Sequence, residues 1–287
     1  VICERPYTQE GMAFPCGGCL PCRHQRARVW AHRLILEATQ HKHNCFLTLT
    51  YTDEEVVKNG GNVSPRDLQL FIKSLRRKVP QFRYYAVGEY GPGTLRPHYH
   101  LACFGLETCY RGQTDLRKSL CCEQCGLVRK IWGKGAVQLA RLEERSAAYV
   151  AGYVTKKLTA SPLPKSLHPE FQRMSLKPGL GHACMHDVAD VILRHYPDCE
   201  DVPVVLQHGQ TKHPLGKYLR RSLRKMIGRD VKAPESVLKN LQTEMLPLRE
   251  IAFNNSSSLQ KEILDANKGR RATFLNRKHI YRSGKTL

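Results

Sequence analysis

The sequence predicts an α+β fold, a central antiparallel sheet flanked by helices, with a Cys-rich segment ahead of it and a mainly helical region behind. Three observations predict it. Segments with the period of a half-buried helix interleave with short β-former runs, in the order helix, strand, helix, strand, strand, strand, helix. Two of the strands flank a Gly-Pro-Gly turn, so they are joined as a hairpin, and helices set among hairpin-linked strands give an antiparallel α+β domain. After Thr159 the signals weaken, and the periodic stretches that remain are helical.

Residues 1–42 hold the Cys-rich segment and a basic amphipathic helix. Cys, Gly and Pro crowd residues 1–22 around Cys16-Gly-Gly-Cys19-Leu-Pro-Cys22. Over 23–41, Ala27, Trp30, Ala31, Leu34, Ile35 and Ala38 recur at the spacing of one buried helix face, and Arg23, Arg26, Arg28 and Arg33 decorate the rest. The core is placed at 43–160. It opens with a strand over 45–51, where Leu alternates with Thr, followed by a loop over 52–63 broken at Asn59-Gly-Gly61. Ser64 caps a second helix, Pro65 takes its first position, Asp67 supports the cap, and Leu68, Phe71, Ile72 and Leu75 form its buried face. Strands at 82–89 and 96–104 flank the turn Tyr90-Gly-Pro-Gly-Thr94. Residues 106–130 read as an insertion carrying Cys109, Cys121, Cys122 and Cys125, followed by a short strand near 136–142 and a helix over 144–158. Region 161–287 is basic, with helices near 184–195, 214–228 and 234–268 and a flexible tail from Gly269 onward.

Composition bounds the function. With 41% hydrophobic residues the chain can bury a core, and no run of eighteen apolar residues offers a membrane span. The start of the sequence has no charged-then-apolar leader, which points away from secretion. There are 46 Lys and Arg against 25 Asp and Glu, a net charge of +21. An excess of that size favours a polyanionic partner, nucleic acid first, because each neutralised phosphate releases counterions. A membrane surface would need a basic amphipathic anchor that does not stand out, while a ribosomal or capsid scaffold shares the composition. Twelve cysteines without a leader suit metal binding or reduced thiols better than a disulfide framework.

Two patterns carry chemistry. His98-Tyr99-His100 lies in a predicted strand, so both imidazoles project to one side, ~7 Å apart along the strand, while Tyr99 and Leu101 face the opposite layer. Glu89 ends the neighbouring strand and can supply a third ligand. Two imidazoles and a carboxylate suit Mg²⁺ or Mn²⁺ acting on phosphate better than a closed structural zinc site. On the helix over 144–158, Ala147, Val150, Ala151, Val154 and Leu158 make an apolar stripe, and Tyr149 and Tyr153, one turn apart, share the far face beside Lys156 and Lys157. A phenol with a pKa near ~10 is a poor nucleophile unaided; a divalent ion that polarises the phosphate, or a lysine beside the phenol, would activate it. Cys16, Cys19 and Cys22 have spacings suited to tetrahedral zinc, with Cys3 as fourth ligand; a second reading joins them with Cys121, Cys122 or Cys125.

In order along the chain, Arg96-Pro-His-Tyr-His100 and Tyr149-Val-Ala-Gly-Tyr-Val-Thr-Lys156 resemble the two catalytic motifs of the HUH endonuclease superfamily in its two-tyrosine form. Cys16-x-x-Cys-x-x-Cys22, Phe46-Leu-Thr-Leu-Thr-Tyr51, Gly88-Glu-Tyr-Gly91 and Met174-Ser-Leu-Lys-Pro-Gly-Leu-Gly181 look like segments of the replication initiators of gokushovirus-type microviruses, small single-stranded DNA phages. The resemblance spans residues 16–181; the Cys-rich insertion lies outside the core pattern and takes no role from it. It implies an antiparallel sheet flanked by helices, with His98, His100 and Glu89 as ligands of Mg²⁺ or Mn²⁺, Tyr149 and Tyr153 as alternating nucleophiles, and Lys156 positioning the phosphate. The implied activity is nicking and rejoining of single-stranded DNA at a replication origin, leaving a 5′-phosphotyrosine link and a 3′-OH that primes rolling-circle synthesis. It would operate in the host cytoplasm beside a host helicase and polymerase. Two rivals remain: a transposase or relaxase of the same superfamily, and a non-enzymatic zinc-stabilised DNA-binding protein.

Overall fold

Strand alternation sorts the side chains into layers, and the layers set where the helices go. The structure is a computed structural model that describes residues 2–110, 121–156 and 163–283, with side chains described up to residues 152 and 277 in the last helices of those segments. In chain order its elements are β1 (Tyr7–Gln9), β2 (Met12–Phe14), α1 (Leu20–Thr39), β3 (Asn44–Thr50), α2 (Asp53–Lys58), α3 (Pro65–Arg76), β4 (Arg83–Tyr90), β5 (Pro97–Phe104), α4 (Glu123–Trp132), β6 (Val137–Arg141), α5 (Glu144–Lys156), β7 (Phe171–Met174), α6 (Cys184–His195), β8 (Val205–His208), β9 (Thr211–Pro214), α7 (Gly216–Met226), α8 (Glu235–Glu244), α9 (Leu246–Asn254), α10 (Leu259–Ala266) and α11 (Lys268–Ser283). Five strands form one sheet in the order β6-β3-β5-β4-β7, every neighbouring pair antiparallel. The fold is the predicted α+β class, with helices on both faces of the sheet, a Cys-rich segment before it and a helical region after it.

One face of the sheet carries Leu47, Leu49, Ala86, Tyr99, Leu101 and Cys103, which pack with Leu68, Phe71, Ile72 and Leu75 of α3 and with Val128 and Trp132 of α4. The other carries Tyr85, Val87, Ala102 and Phe104, which pack with Leu34 of α1 and with Ala147, Val150 and Ala151 of α5. Tyr99 and Leu101 therefore lie in the layer opposite His98 and His100, as alternation predicts. A third cluster joins Leu36 of α1 to Met185, Ala189 and Ile192 of α6 and to Leu219 and Leu223 of α7, so α1 is buried on two sides. Among the described residues no helix is long and apolar enough to cross a membrane.

Several elements differ from the sequence expectation, each for a local reason. The loop expected over 52–63 contains α2: the Thr52 side chain accepts from the Glu55 N–H at 3.3 Å, and acids fill its first turn. β7 was not expected; it is a four-residue edge strand with exposed centre, too short for periodicity to register. The hairpins β1–β2 and β8–β9 were also missed. Their two-residue turns, Glu10-Gly11 with both φ positive and Gly209-Gln210, were the available signals. The single helix expected over 234–268 is three, interrupted at Met245-Leu-Pro247 and at Asn254-Asn-Ser-Ser. The basic stretch expected to be a flexible tail is α11. Arg33, expected on an outer face of α1, is buried: its Nε donates to the Leu180 carbonyl at 3.0 Å, and its guanidinium lies between the rings of Trp30 and Tyr218.

The motif at 174–181 fastens this assembly. Glu37 of α1, only 2% exposed, accepts from Arg83 of β4 at 2.5 Å, from the Gly181 N–H at 2.7 Å and from His41 at 3.2 Å. Burial by itself pushes the Glu37 carboxyl up, but these donors outweigh it and hold it below the usual range. A depressed folded pKa means the contribution is full above the unfolded value of about 4.5 and is lost as pH falls through the folded value. Glu37→Gln should therefore cost about 3 kcal/mol near neutral pH by leaving the Arg83 charge uncompensated, and the gap to wild type should narrow on acidification. Urea unfolding across the acid range measures both; a pH-independent loss below ~1 kcal/mol, the size of an exposed pair, would contradict it.

Candidate metal centre and tyrosine helix

The register of β4 on β5 sets Glu89 directly opposite His98, with Val87 opposite His100. All three functional side chains then share a face, because positions two apart on a strand do. Glu89 Oε1 lies 3.2 Å from His98 Nε2 and 3.2 Å from His100 Nε2, and the ligand atoms of all three lie within 4.8 Å of one another. Glu89 is buried, while both imidazoles keep a partly open edge. Gly88, next to it, faces the opposite layer, where a Cβ would meet Phe171 at 2.9 Å and Tyr99 at 3.2 Å; the absence of a side chain lets β4 pass between those rings.

The other ring nitrogens are committed elsewhere. His98 Nδ1 is 3.0 Å from the Arg96 carbonyl, which only accepts, so Nδ1 carries the hydrogen. His100 Nδ1 is 3.0 Å from Thr48 Oγ1, on the strand residue directly opposite. With Nδ1 donating, His98 turns the lone pair of Nε2 toward a carboxylate oxygen. Two acceptors at that distance repel unless a proton or a cation lies between them. The N, N, O set is the donor chemistry of a divalent cation held by imidazole and carboxylate, with outer partners that fix ring orientation.

α5 brings Tyr149 to this centre. Ala147, Val150 and Ala151 are buried against the sheet and α1, which leaves Tyr149 45% exposed. Its hydroxyl donates to Glu89 Oε1 at 3.4 Å, and its ring meets His100 edge-on at 5.4 Å between centroids. Phe46 stacks on His100 at 5.3 Å and meets Tyr149 at 6.3 Å, closing the wall between strand and helix. The backbone of α5 continues through Tyr153 and Lys156, but their side chains, with Lys157 and Leu158, lie outside the described residues.

Cys3, Cys16, Cys19 and Cys22 come together, their sulfurs within 4.8 Å of one another, at the start of α1. Cys3 is thus the fourth member, and Cys121, Cys122 and Cys125 do not join this set; they gather with Cys109 in a cluster of their own. The backbone N–H groups of Cys19 and Gly18 lower the Cys16 thiol to about 6, toward the thiolate that a metal takes.

Sequence reasoning missed Thr48, Phe46 and the Arg96 carbonyl. The signal for Thr48 was available: in a strand that alternates Leu with Thr, the threonines share a face, and pairing with the histidine strand brings one beside an imidazole. Thr48→Val keeps the shape and removes the oxygen that orients His100. It should weaken Mn²⁺ binding about 10- to 100-fold by calorimetry with the fold intact; unchanged affinity would remove Thr48 from the site.

Comparison with known proteins agrees with this geometry. Residues 44–158 match the family model for replication-associated protein ORF2. Replication-associated protein ORF2 of Spiroplasma virus 4 is 36% identical over 184 residues, 58% of this chain and 56% of that protein. Replication-associated protein VP4 of Bdellovibrio phage phiMH2K is 34% identical over 158 residues, 51% of this chain and 49% of that one. Replication-associated protein ORF4 of Chlamydia phage 1 is 30% identical over 165 residues, 52% and 39% of the two chains. The chain thus spans about half the length of the curated relatives it matches. No solved structure matches. The resemblance drawn from the motifs and the similarity found by comparison are one: this chain is a relative of the replication-associated proteins of phages, and the matched region holds the strands of Glu89, His98 and His100 and the helix of Tyr149.

Proposed function

We propose that this chain is a replication initiator that nicks and rejoins single-stranded DNA at a phage origin by tyrosine transesterification. The observation that carries the reading is the position of Glu89 Oε1, 3.2 Å from both histidine Nε2 atoms and 3.4 Å from the Tyr149 hydroxyl. A phenol and a cation site meeting at one carboxylate are the two parts that phosphoryl transfer to tyrosine needs.

His98, His100 and Glu89 would hold Mg²⁺ or Mn²⁺, which supplies charge against the oxygens of the scissile phosphate. Tyr149 is exposed enough for a strand to reach it. Its oxygen bonds to phosphorus as the bond to the 3′ oxygen breaks, and that oxygen leaves as a 3′-OH. The 5′-phosphotyrosine link conserves the energy of the broken bond, so the reverse attack reseals it. By the motif resemblance, Tyr153 is the second nucleophile and Lys156 steadies the phosphate. The net charge of +21 suits the polyanionic substrate, and the basic region after the sheet would hold DNA or a host helicase, with a host polymerase extending the 3′-OH in the cytoplasm. Cys3, Cys16, Cys19 and Cys22 would hold a structural Zn²⁺, since a full cysteine set closes its shell.

Labelled single-stranded origin DNA, incubated with the protein and Mn²⁺ or Mg²⁺, should yield a denaturation-resistant adduct. Tyr149→Phe together with Tyr153→Phe should abolish it while DNA retention on a filter persists. DNA retention by wild type without any adduct, with either metal, would favour a non-enzymatic zinc-stabilised DNA-binding protein instead. Adducts formed on transposon ends or plasmid transfer origins in preference to the phage origin would favour a transposase or relaxase.

A further inference from the structure

A second four-cysteine cluster lies on the far side of the sheet from Tyr149. Cys109, Cys121, Cys122 and Cys125 are all buried, with their sulfurs within 4.8 Å of one another. Sulfurs around a tetrahedral zinc with bonds of ~2.3 Å stand about 3.8 Å apart, and Cys109 and Cys121 are at 3.1 Å. The local geometry repeats that of the first cluster. In Cys16-x-x-Cys19 the Cys19 N–H donates to Cys16 Sγ at 3.4 Å, and in Cys122-x-x-Cys125 the Cys125 N–H donates to Cys122 Sγ at 3.4 Å. Each turn opens a helix, with Cys19 as N-cap of α1 and Cys122 as N-cap of α4, where the helix dipole favours thiolates. Two sites so alike in donor set, turn and helix start call for the same occupant.

We infer that Cys109, Cys121, Cys122 and Cys125 bind a second structural zinc that clamps α4 to the back of the sheet. Binding releases the four thiol protons and leaves a dianionic tetrathiolate centre. Its shell is full, so it carries out no chemistry of its own. Its effect passes along α4. At one end the Cys109 N–H donates to the Leu139 carbonyl of β6 at 3.3 Å. At the other, Trp132 Nε1 donates to the Thr50 carbonyl at 2.8 Å, and its ring packs among Tyr51, Phe71 and Tyr99. Thr50 is the residue opposite His98. The zinc thus secures the layer behind the histidine strand, independently of whether that strand cuts DNA.

Metal analysis of the full chain tests it. Wild type should hold two zinc ions. The double variant Cys121→Ser/Cys122→Ser should hold one, and so should Cys3→Ser/Cys16→Ser, which leaves the second cluster intact. A second measurement on wild type covers a variant that fails to fold. Alkylation followed by mass mapping should find Cys109, Cys121, Cys122 and Cys125 protected natively and modified once a chelator is added. Zinc content unchanged by Cys121→Ser/Cys122→Ser, chelator-independent alkylation, a Cys109–Cys121 disulfide, or iron with labile sulfide would each overturn the assignment.

Discussion

The antiparallel register of β4 on β5 is the constraint on which the site rests. It sets Glu89 opposite His98 and, by the two-residue period, aims both imidazoles and the carboxylate into one space. A slip of one residue would move Glu89 to the other face, and with it Tyr85 and Val87 out of one core and Ala86 out of the other. Two packed layers therefore enforce the pairing that the polar residues need. The polar residues contribute little to that enforcement: an imidazole–carboxylate cluster at a sheet surface is held by its surroundings rather than holding them.

The nucleophile candidate arrives by the same economy. α5 is seated by small residues, Ala147, Val150 and Ala151, which let it lie close to the sheet and to α1. Tyr149 then projects from its rim over His100 and Glu89. α1, in turn, is fixed by Glu37 to β4 and to the loop of Gly181, so the motif at 174–181 acts on the site through helix placement and not through contact with the metal ligands. The cysteine clusters begin α1 and α4, one helix on each face of the sheet. The two helices that cover the sheet are thus each pinned where they start.

Much of this was legible in the sequence because it rests on periodicity. The histidine strand, its Glu89 neighbour and the opposite layer of Tyr99 and Leu101 follow from alternation alone. The face of Tyr149 follows from the helical wheel. Ser64-Pro65 announced α3 through its cap. What escaped lacks a repeating signal: α2 is six residues long, β7 four, and the hairpin strands of the Cys-rich segment three each. Arg33 escaped because a guanidinium is buried by particular partners, the Leu180 carbonyl and two rings, that lie far off in sequence. Cysteine spacing found the first cluster, but Cys109 stands too far from Cys121 to be paired with it by counting.

The most direct test of the metal centre is Mn²⁺ binding followed by electron paramagnetic resonance, with wild type compared against Glu89→Ala and His98→Ala/His100→Ala. Wild type should show one ordered Mn²⁺ site with nitrogen hyperfine coupling from imidazole. That coupling should vanish in the double histidine variant, and the affinity should fall in Glu89→Ala. Mn²⁺ bound with the same affinity and the same nitrogen coupling in the double variant would contradict this, and would mean that the register of β4 and β5 builds no metal centre.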